Sequence, residues 1–447
     1  MNMLVAKDFG DDFLWGVATA ATQIEGAANT YGRGASIWDT FSKRNGKTKG
    51  GRTPEIACDF YHRYAADIAL VKTLGFKVFR FSISWSRILP LGKGVINPEG
   101  IQFYHHVIDE CLRQDIVPYV TLYHWDLPEA LAKNGGWMAF SINADFNAFV
   151  SLCAKTYGDK VKNWIVINEP FGFTSLGYML GIHAPGESGV TNFFAAAKHT
   201  AIAQADGGRI LRAEIPNASI GTTFSCSEII PYTQSASDLL ASKRVDCLMN
   251  RLFIEPTLGM GFPTAGWDVL EKFAVSHSLW RYTERMTFDF DYIGLQNYFP
   301  LVIKYNAFIP VIQAWEVKAK NRKKPHTSMG WEINADSFYH IIKQFAAYPK
   351  VKNIMITENG AAFKDKLVAG HVHDEERIAY FKLYLAAVLK AKNEGVNITG
   401  YMAWTLMDNF EWAEGYDARF GLVYTDFKTQ ERTIKDSGLW WQQFLTK

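Results

Sequence analysis

Two glutamates each close an apolar run. Glu169 follows Val166-Ile167-Asn168, and Glu358 follows Met355-Ile356-Thr357. A carboxylate at the end of such a run is costly to bury unless it is paired or used in chemistry. Brought face to face by folding, two carboxyl groups supply what cleavage of a glycosidic bond needs. One protonates the leaving oxygen, and the other attacks or activates water. Their proximity would also split their titrations. While one is ionised, its field raises the pKa of the other and keeps a proton available near neutral pH.

The elements that would position this pair alternate regularly. Tyr61, Tyr64, Ala65, Ile68, Val71 and Leu74 fall at helical spacing before Gly75, a suitable residue for the end of a helix, and Val78 to Trp85 reads as a strand. Asn97-Pro98-Glu99 resembles an N-cap with proline at the first helical position. It leads into Ile101, Tyr104, Ile108, Cys111 and Leu112, with Val117 to Leu122 as the next strand. Helix faces ending near Gly158 and Gly395 precede strands at Trp164 to Asn168 and Ile398 to Thr405. Phe13 to Ala18, Ile220 to Phe224, Tyr292 to Asn297 and Ile354 to Thr357 bring the strands to eight. Strands alternating with helices imply parallel βα units, and eight of them predict an α/β fold, a single (β/α)8 TIM barrel with long βα loops over residues 1–447. An open doubly wound sheet is the competitor, but no Gly-x-Gly-x-x-Gly follows the first strand.

The C-terminal ends of these strands finish in polar or aromatic residues: Arg80, His124-Trp125, Asn168-Glu169, Gln296-Asn297-Tyr298, Glu358-Asn359 and Trp404. In a barrel that end is the mouth, where active sites are built. Arg80 is the strongest single case, because an arginine inside an apolar strand needs a carboxylate partner. Two connections, Ser225 to Asp291 and Pro300 to Asn353, are too long for simple crossovers, and loops of that length are commonly functional. The basic run Lys318 to Lys324 within the second reads as a solvated loop.

Composition narrows the partners. The chain of 447 residues is 48% apolar and 21% charged, which excludes disorder. Its length alone fits about three average domains or one barrel with insertions. Lys plus Arg numbers 47 against 45 for Asp plus Glu, so nothing favours nucleic acid. No charge-free apolar run reaches the roughly 18 residues of a membrane span. Met1 to Gly16 is broken by Asp8, Asp11 and Asp12 and lacks the layout of a secretion leader. Five scattered cysteines without Cys-x-x-Cys spacing point to reduced thiols, a cytoplasmic setting and no bound metal. The 31 Phe, 20 Tyr and 14 Trp exceed what a core alone suggests, and aromatics beside carboxylates and amides suit sugar rings.

Thr357-Glu358-Asn359-Gly360 and Asn168-Glu169-Pro170 resemble the two signatures of glycoside hydrolase family 1, the β-glucosidase family. Phe13-Leu14-Trp15-Gly16 through Gln23-Ile24-Glu25-Gly26 is similar to its N-terminal signature. So are Arg80 to Trp85, His124 to Pro128, and Asp408-Asn409-Phe410-Glu411-Trp412 with Arg419-Phe420-Gly421. The resemblance implies a retaining exo-β-glucosidase without a cofactor. Glu358 would be the nucleophile and Glu169 the acid/base, with carboxyl groups about 5–5.5 Å apart. It places Arg80 and Tyr298 on the nucleophile and Asn168 on the sugar 2-hydroxyl. Gln23, His124, Trp125, Glu411 and Trp412 would be sugar-binding, Trp404 the stacking platform, Phe420 part of the same subsite, Trp331 the leaving-group platform and His183 part of the entrance.

The chain departs from the family pattern at Gln296, where Asn is usual, at Phe171, where many members carry Trp, and at Thr405 in place of Ser. The change at Phe171 bears on the leaving-group wall. Members acting on 6-phosphosugars carry Ser and Lys where this chain has Glu411 and no nearby Lys; a carboxylate there repels phosphate and favours unphosphorylated glucosides. Gln23 and Glu411 would also tolerate β-galactosides and β-fucosides. A 6-phospho-β-glucosidase, a transglycosylase and a non-catalytic sugar-binding relative are the rivals; the last type lacks one carboxylate, and both are here. The expected partners are small β-glucosides and short β-linked oligosaccharides.

Overall fold

The computed structural model describes residues 4–263 and 267–446. Met1 to Met3, at the start of the stretch read for a leader, lie outside the described residues, as does Lys447. Eight parallel strands close into a barrel in sequence order. They are β1 (Leu14–Ala18), β2 (Val78–Ser82), β3 (Val117–Tyr123), β4 (Asn163–Asn168), β5 (Ser219–Ser225), β6 (Tyr292–Gln296), β7 (Ile354–Asn359) and β8 (Ile398–Trp404). Ala18 of β1 pairs with Arg80 of β2 on one side and Trp404 of β8 on the other, which completes the ring. All eight correspond to strands expected from the apolar patterning. β2 stops earlier than expected, because Trp85 opens a helical turn, Trp85–Ile88.

The long helices are α1 (Phe60–Thr73), α2 (Pro98–Arg113), α3 (Ile142–Tyr157), α4 (Val190–Glu214), α5 (Ala236–Asp246), α6 (Ala335–Ala346), α7 (Glu375–Asn393) and α8 (Asp436–Thr446). In α2, Pro98 occupies the first turn and Phe103, Tyr104, Val107, Ile108 and Cys111 form the buried face. Asn97 sits at the cap position without capping. Its amide instead donates to the carbonyls of Tyr31 at 2.8 Å and Arg87 at 2.9 Å, tying two loops together. α4 lies tight on the barrel at Gly207, where a Cβ would fall 2.6 Å from Val166 Cγ1. That close approach is why a glycine sits in the middle of a helix.

A layer of Val78, Tyr119, Ile165, Tyr292, Met355 and Met402 packs together, one residue from each of β2, β3, β4, β6, β7 and β8. The same cluster continues upward to Trp404 and Phe420, so the core becomes the floor of the mouth. Strand register slips at the C-terminal ends of β4 and β7, the strands that lead into Glu169 and carry Glu358. Bulges of this kind re-aim side chains beside active sites.

The long connections carry local structure of their own. Ile229–Pro231, Leu301–Tyr305 and Ala314–Glu316 form a three-stranded sheet, and Val423–Thr425 pairs with Arg432–Ile434. The basic run is not wholly a solvated loop. Ala319–Arg322 is a helical turn in which Arg322 is largely buried against Glu332, while Lys318, Lys320, Lys323 and Lys324 stay exposed. Desolvating one cation of the run required a carboxylate that lies beyond it in sequence.

Candidate active site

A cavity of about 280 Å³ opens at the C-terminal mouth of the barrel. Glu169, Glu358, His124, Trp125, Tyr298, Trp331, Trp404, Glu411, Trp412 and Phe420 all line it. Glu358 is the penultimate residue of β7, and the turn after the strand needs Gly360, whose Cβ would lie 1.9 Å from the Trp404 carbonyl oxygen. Glu169 follows β4 with a left-handed backbone, φ +44°. Trp125 (φ +75°) and Trp412 (φ +49°) share that conformation. Three non-glycine residues held there around one cavity mark strain that the surrounding fold sustains.

Glu358 is held from two sides. Arg80 Nη1 donates to its Oε1 at 2.6 Å, and Tyr298 Oη donates to its Oε2 at 2.8 Å. Arg80 also donates from Nη1 to the Thr357 carbonyl at 3.0 Å, from Nε to Thr121 at 3.1 Å, and from Nη2 to Asn168 Oδ1 at 2.5 Å. The arginine is fully buried, so each nitrogen is fixed in place. Asn168 Oδ1 also accepts from Gln296 Nε2 at 2.8 Å and Thr223 Oγ1 at 3.1 Å. Three donors on one oxygen fix the amide, leaving its NH2 to donate to His124 Nε2 at 3.1 Å. The His124 proton therefore sits on Nδ1, a buried donor without a protein partner among the described residues. Burial and the Arg80 charge hold His124 well below the usual imidazole range, so it is neutral.

The carboxyl groups differ in environment. Burial pushes Glu358 up, while the Arg80 charge and the Tyr298 hydrogen bond pull it back. Burial pushes Glu169 well above the carboxylate range, and the negative charge of Glu358 adds to the rise. A hydrogen bond from the Ser225 hydroxyl and the more distant Arg80 oppose it only partly. Glu358 thus loses its proton before Glu169. Glu411 is a third acid of the wall, partly buried and pushed up to about 8 by desolvation and the Glu358 charge against hydrogen bonds from Gln23 and Trp404.

Gln23 and Asn168 are fully buried, and each is hydrogen-bonded to a residue of the wall. Gln23 Nε2 reaches Glu411 Oε2 at 3.2 Å and Asn409 Oδ1 at 3.1 Å, and Gln23 Oε1 has no partner among the described residues. Trp412 stacks on Trp125 with centroids 5.0 Å apart, and Trp331 stacks on Phe299 at 4.8 Å. His183 lines the cavity beside Trp125. Phe171 does not form the leaving-group wall. It lies edge-on to Phe193 of α4, and its neighbour Gly172 lines the cavity instead. Thr405 is a packing residue whose hydroxyl donates to the Ala18 carbonyl at 2.7 Å.

Ser225, Leu176, Phe299 and Met329 also line the cavity, though no motif singled them out. Ser225 carried the one available signal, since it is the polar residue closing β5. No Lys or Arg is among the lining residues. The described residues offer one cluster of metal-ligating type, His373, Glu375 and Asp436, and it lies outside the cavity. The arrangement is therefore equipped for acid–base and nucleophilic work on a neutral, hydroxyl-rich ligand with apolar faces.

The profile "Glycosyl hydrolase family 1" matches residues 5–447. "Beta-glucosidase A" of Thermotoga maritima is 40% identical over 444 residues, 98% of each chain. "1,4-beta-D-glucan glucohydrolase" of Thermotoga neapolitana is 38% identical over 444 residues, again 98% of each. The solved structure of the Thermotoga maritima β-glucosidase in complex with deoxynojirimycin superposes with a TM-score of 0.94 at 38% identity, covering 99% of both chains. No helix among the described residues is long and apolar enough to cross a membrane.

Proposed function

Because the chain belongs to glycosyl hydrolase family 1, we propose that it acts as one catalytic unit, a retaining exo-β-glucosidase that removes terminal nonreducing β-D-glucosyl residues. Glu358 attacks the anomeric carbon while Glu169 gives its proton to the departing glycosidic oxygen. This forms a glycosyl ester on Glu358 and releases the aglycone. Water then attacks the same carbon, Glu169 takes the water proton, the ester bond breaks, and glucose leaves with its original configuration.

The observation that carries this reading is the asymmetry of the two acids in one cavity. Glu358 meets a guanidinium and a phenol, while Glu169 has neither bonded to it. Arg80 orients the nucleophile, and Tyr298 shares its charge. Asn168 presents a fixed NH2 towards the 2-hydroxyl, whose bond tightens as charge develops on the ring. His124, Gln23 and Glu411 read the other hydroxyls, with Trp404 beneath the ring and Trp125, Trp412 and Phe420 closing the subsite. Trp331 supports the leaving group. β-Galactosides and β-fucosides enter the same subsite, because they differ at the positions read by Gln23 and Glu411. A wall without Lys or Arg disfavours a 6-phosphosugar. The five thiols are buried and unpaired, which fits a reducing cytoplasm.

Hydrolysis of 4-nitrophenyl β-glucoside followed by proton NMR is the test. β-Glucose is expected to appear first and then mutarotate. Initial release of α-glucose, or turnover of the 6-phosphoglucoside alone, overturns the assignment.

A further inference from the structure

The connection after β6 leaves the barrel as a hairpin that the reaction does not use. Its strands Leu301–Tyr305 and Ala314–Glu316 pair antiparallel, and Ile229–Pro231 completes the small sheet. One face of that sheet is covered, since Ile303 and Ala314 pack on Ala241 and Val245 of α5. The other face is open. Lys304 stands opposite Trp315 in the register, and its Nζ lies 5.5 Å from the centroid of the Tyr232 ring. Trp315 is 59% exposed and Tyr232 45%.

The two ends of this face differ in chemistry. The turn at one end contains Ala307-Phe308-Ile309-Pro310-Val311-Ile312, with Phe308 94% exposed and Ala307 and Pro310 exposed beside it. Val311 is held at φ +67°, where a β-branched residue is strained and glycine or asparagine would turn the chain at lower cost. Folding alone gives no reason for six apolar residues in a row at a solvated turn. At the other end the chain enters the basic run. Residues 301–324 carry six cations and one carboxylate, in a chain whose total charge is +2. Glu316 engages Lys318 at 2.5 Å and Glu332 holds Arg322, but Lys304, Lys320, Lys323 and Lys324 are exposed and make no ion pair among the described residues.

Single exposed apolar side chains are ordinary on any surface. Aromatic rings, a contiguous apolar tip and unpaired lysines on one hairpin fit a more particular partner. Phenol and indole rings settle at the headgroup level of a bilayer, an apolar tip enters the acyl boundary, and lysines are drawn to anionic headgroups. A nucleic acid would use the lysines and leave the tip in water. A purely apolar partner would leave the lysines without counter-charge.

We propose that this hairpin, with the basic run that follows it, docks the protein peripherally on an anionic lipid bilayer. Phe308 enters the acyl boundary, Tyr232 and Trp315 lie among the headgroups, and the four unpaired lysines meet lipid phosphates. The docking stands apart from the glycosidase chemistry and is read out by binding alone.

Co-sedimentation of the full chain with lipid vesicles tests it. The wild type is expected to bind phosphatidylcholine vesicles containing about 30% phosphatidylglycerol at least about tenfold more tightly than pure phosphatidylcholine, and to be released as salt rises to about 0.5 M. Phe308→Ser should weaken binding to the anionic vesicles by about tenfold or more, the scale of burying one phenylalanine. The triple variant Lys320→Glu, Lys323→Glu, Lys324→Glu should weaken it by about tenfold or more. Both change exposed residues, so their near-UV circular dichroism should match the wild type. Absence of wild-type binding, or equal binding to neutral and anionic vesicles, overturns the proposal whatever the variants do. Unchanged binding in either variant overturns it as well. So does self-association that Phe308→Ser abolishes in a chain that binds no vesicles, which would give the tip to a second copy.

Discussion

The ends of β7 and β4 present the same side chain to the same cavity in opposite settings. At the end of β7, Glu358 accepts hydrogen bonds from Arg80 and Tyr298, and both stabilise its charge. Just past β4, Glu169 is buried to a similar degree, yet its strongest electrostatic neighbour is Glu358 itself. Burial raises both acids, but the groups at one strand end offset that rise while the neighbour at the other adds to it. Position on the barrel supplies the pair, and the groups contributed by β2, β5 and the β6 end divide the labour between its members. A single arginine placed nearer to Glu169 would erase the distinction.

The largest effect should come from removing the charged member. Glu358→Gly is expected to lower kcat on aryl β-glucosides by about four orders of magnitude or more. Azide should then restore turnover of 2,4-dinitrophenyl β-glucoside, attacking from the face of the lost carboxylate and giving the α-glucosyl azide as the phenolate leaves. Wild-type rates in this variant would make the two strand ends interchangeable. Glu169→Ala should lower rates on glucosides with poor leaving groups by about two to four orders of magnitude. It should spare the first step for 2,4-dinitrophenyl glucoside, which needs no proton, and azide should yield the β-glucosyl azide. Equal losses for good and poor leaving groups would remove the acid role from the β4 end.

Tyr298→Phe sharpens the comparison without destroying it. The phenol stabilises the ionised form of Glu358, so its loss raises the pKa of that carboxyl. The acidic limb of the kcat/KM profile, which reports ionisation of Glu358, is expected to move to higher pH while the basic limb stays in place. The rate at the optimum should fall about tenfold, the scale of one hydrogen bond to a charge. Movement of the basic limb alone would place the phenol on Glu169.

Much of this division was legible in the sequence, and the reasons are local. β-Branched and aromatic runs such as Val78–Ser82 and Ile354–Thr357 have few alternatives to a buried parallel strand, so the barrel followed from patterning. Arg80 in such a strand implied a carboxylate partner, and the family resemblance named that partner as Glu358. α4 was missed, as its alanines and the pair Gly207-Gly208 give almost no apolar periodicity; its stability comes from close contact with the barrel, which no local window records. Phe171 was assigned to the wrong surface, because the turn after Glu169 directs it towards α4 and leaves Gly172 at the cavity. Gln296 stood out only as an unusual residue. Its bond to Asn168 depends on β6 and β4 facing each other across β5.

Ser225 tests the comparison at its finest. Its hydroxyl closes β5, lines the cavity and is the hydrogen-bonding group that favours the ionised form of Glu169. With Ser225→Ala that support disappears, while burial and the Glu358 charge remain, so the Glu169 pKa rises further. The basic limb of kcat/KM, which reports loss of the Glu169 proton, is expected to move to higher pH. The acidic limb should hold still, because the groups that set the Glu358 pKa are Arg80 and Tyr298. The rate at the optimum should change by about threefold or less, the scale of one neutral hydrogen bond. A shift of the basic limb to lower pH would mean that the hydroxyl accepts from the protonated acid instead of donating to its anion. The proton on Glu169 would then be held by a specific bond in the protein, and desolvation alone would no longer account for the acid at the end of β4.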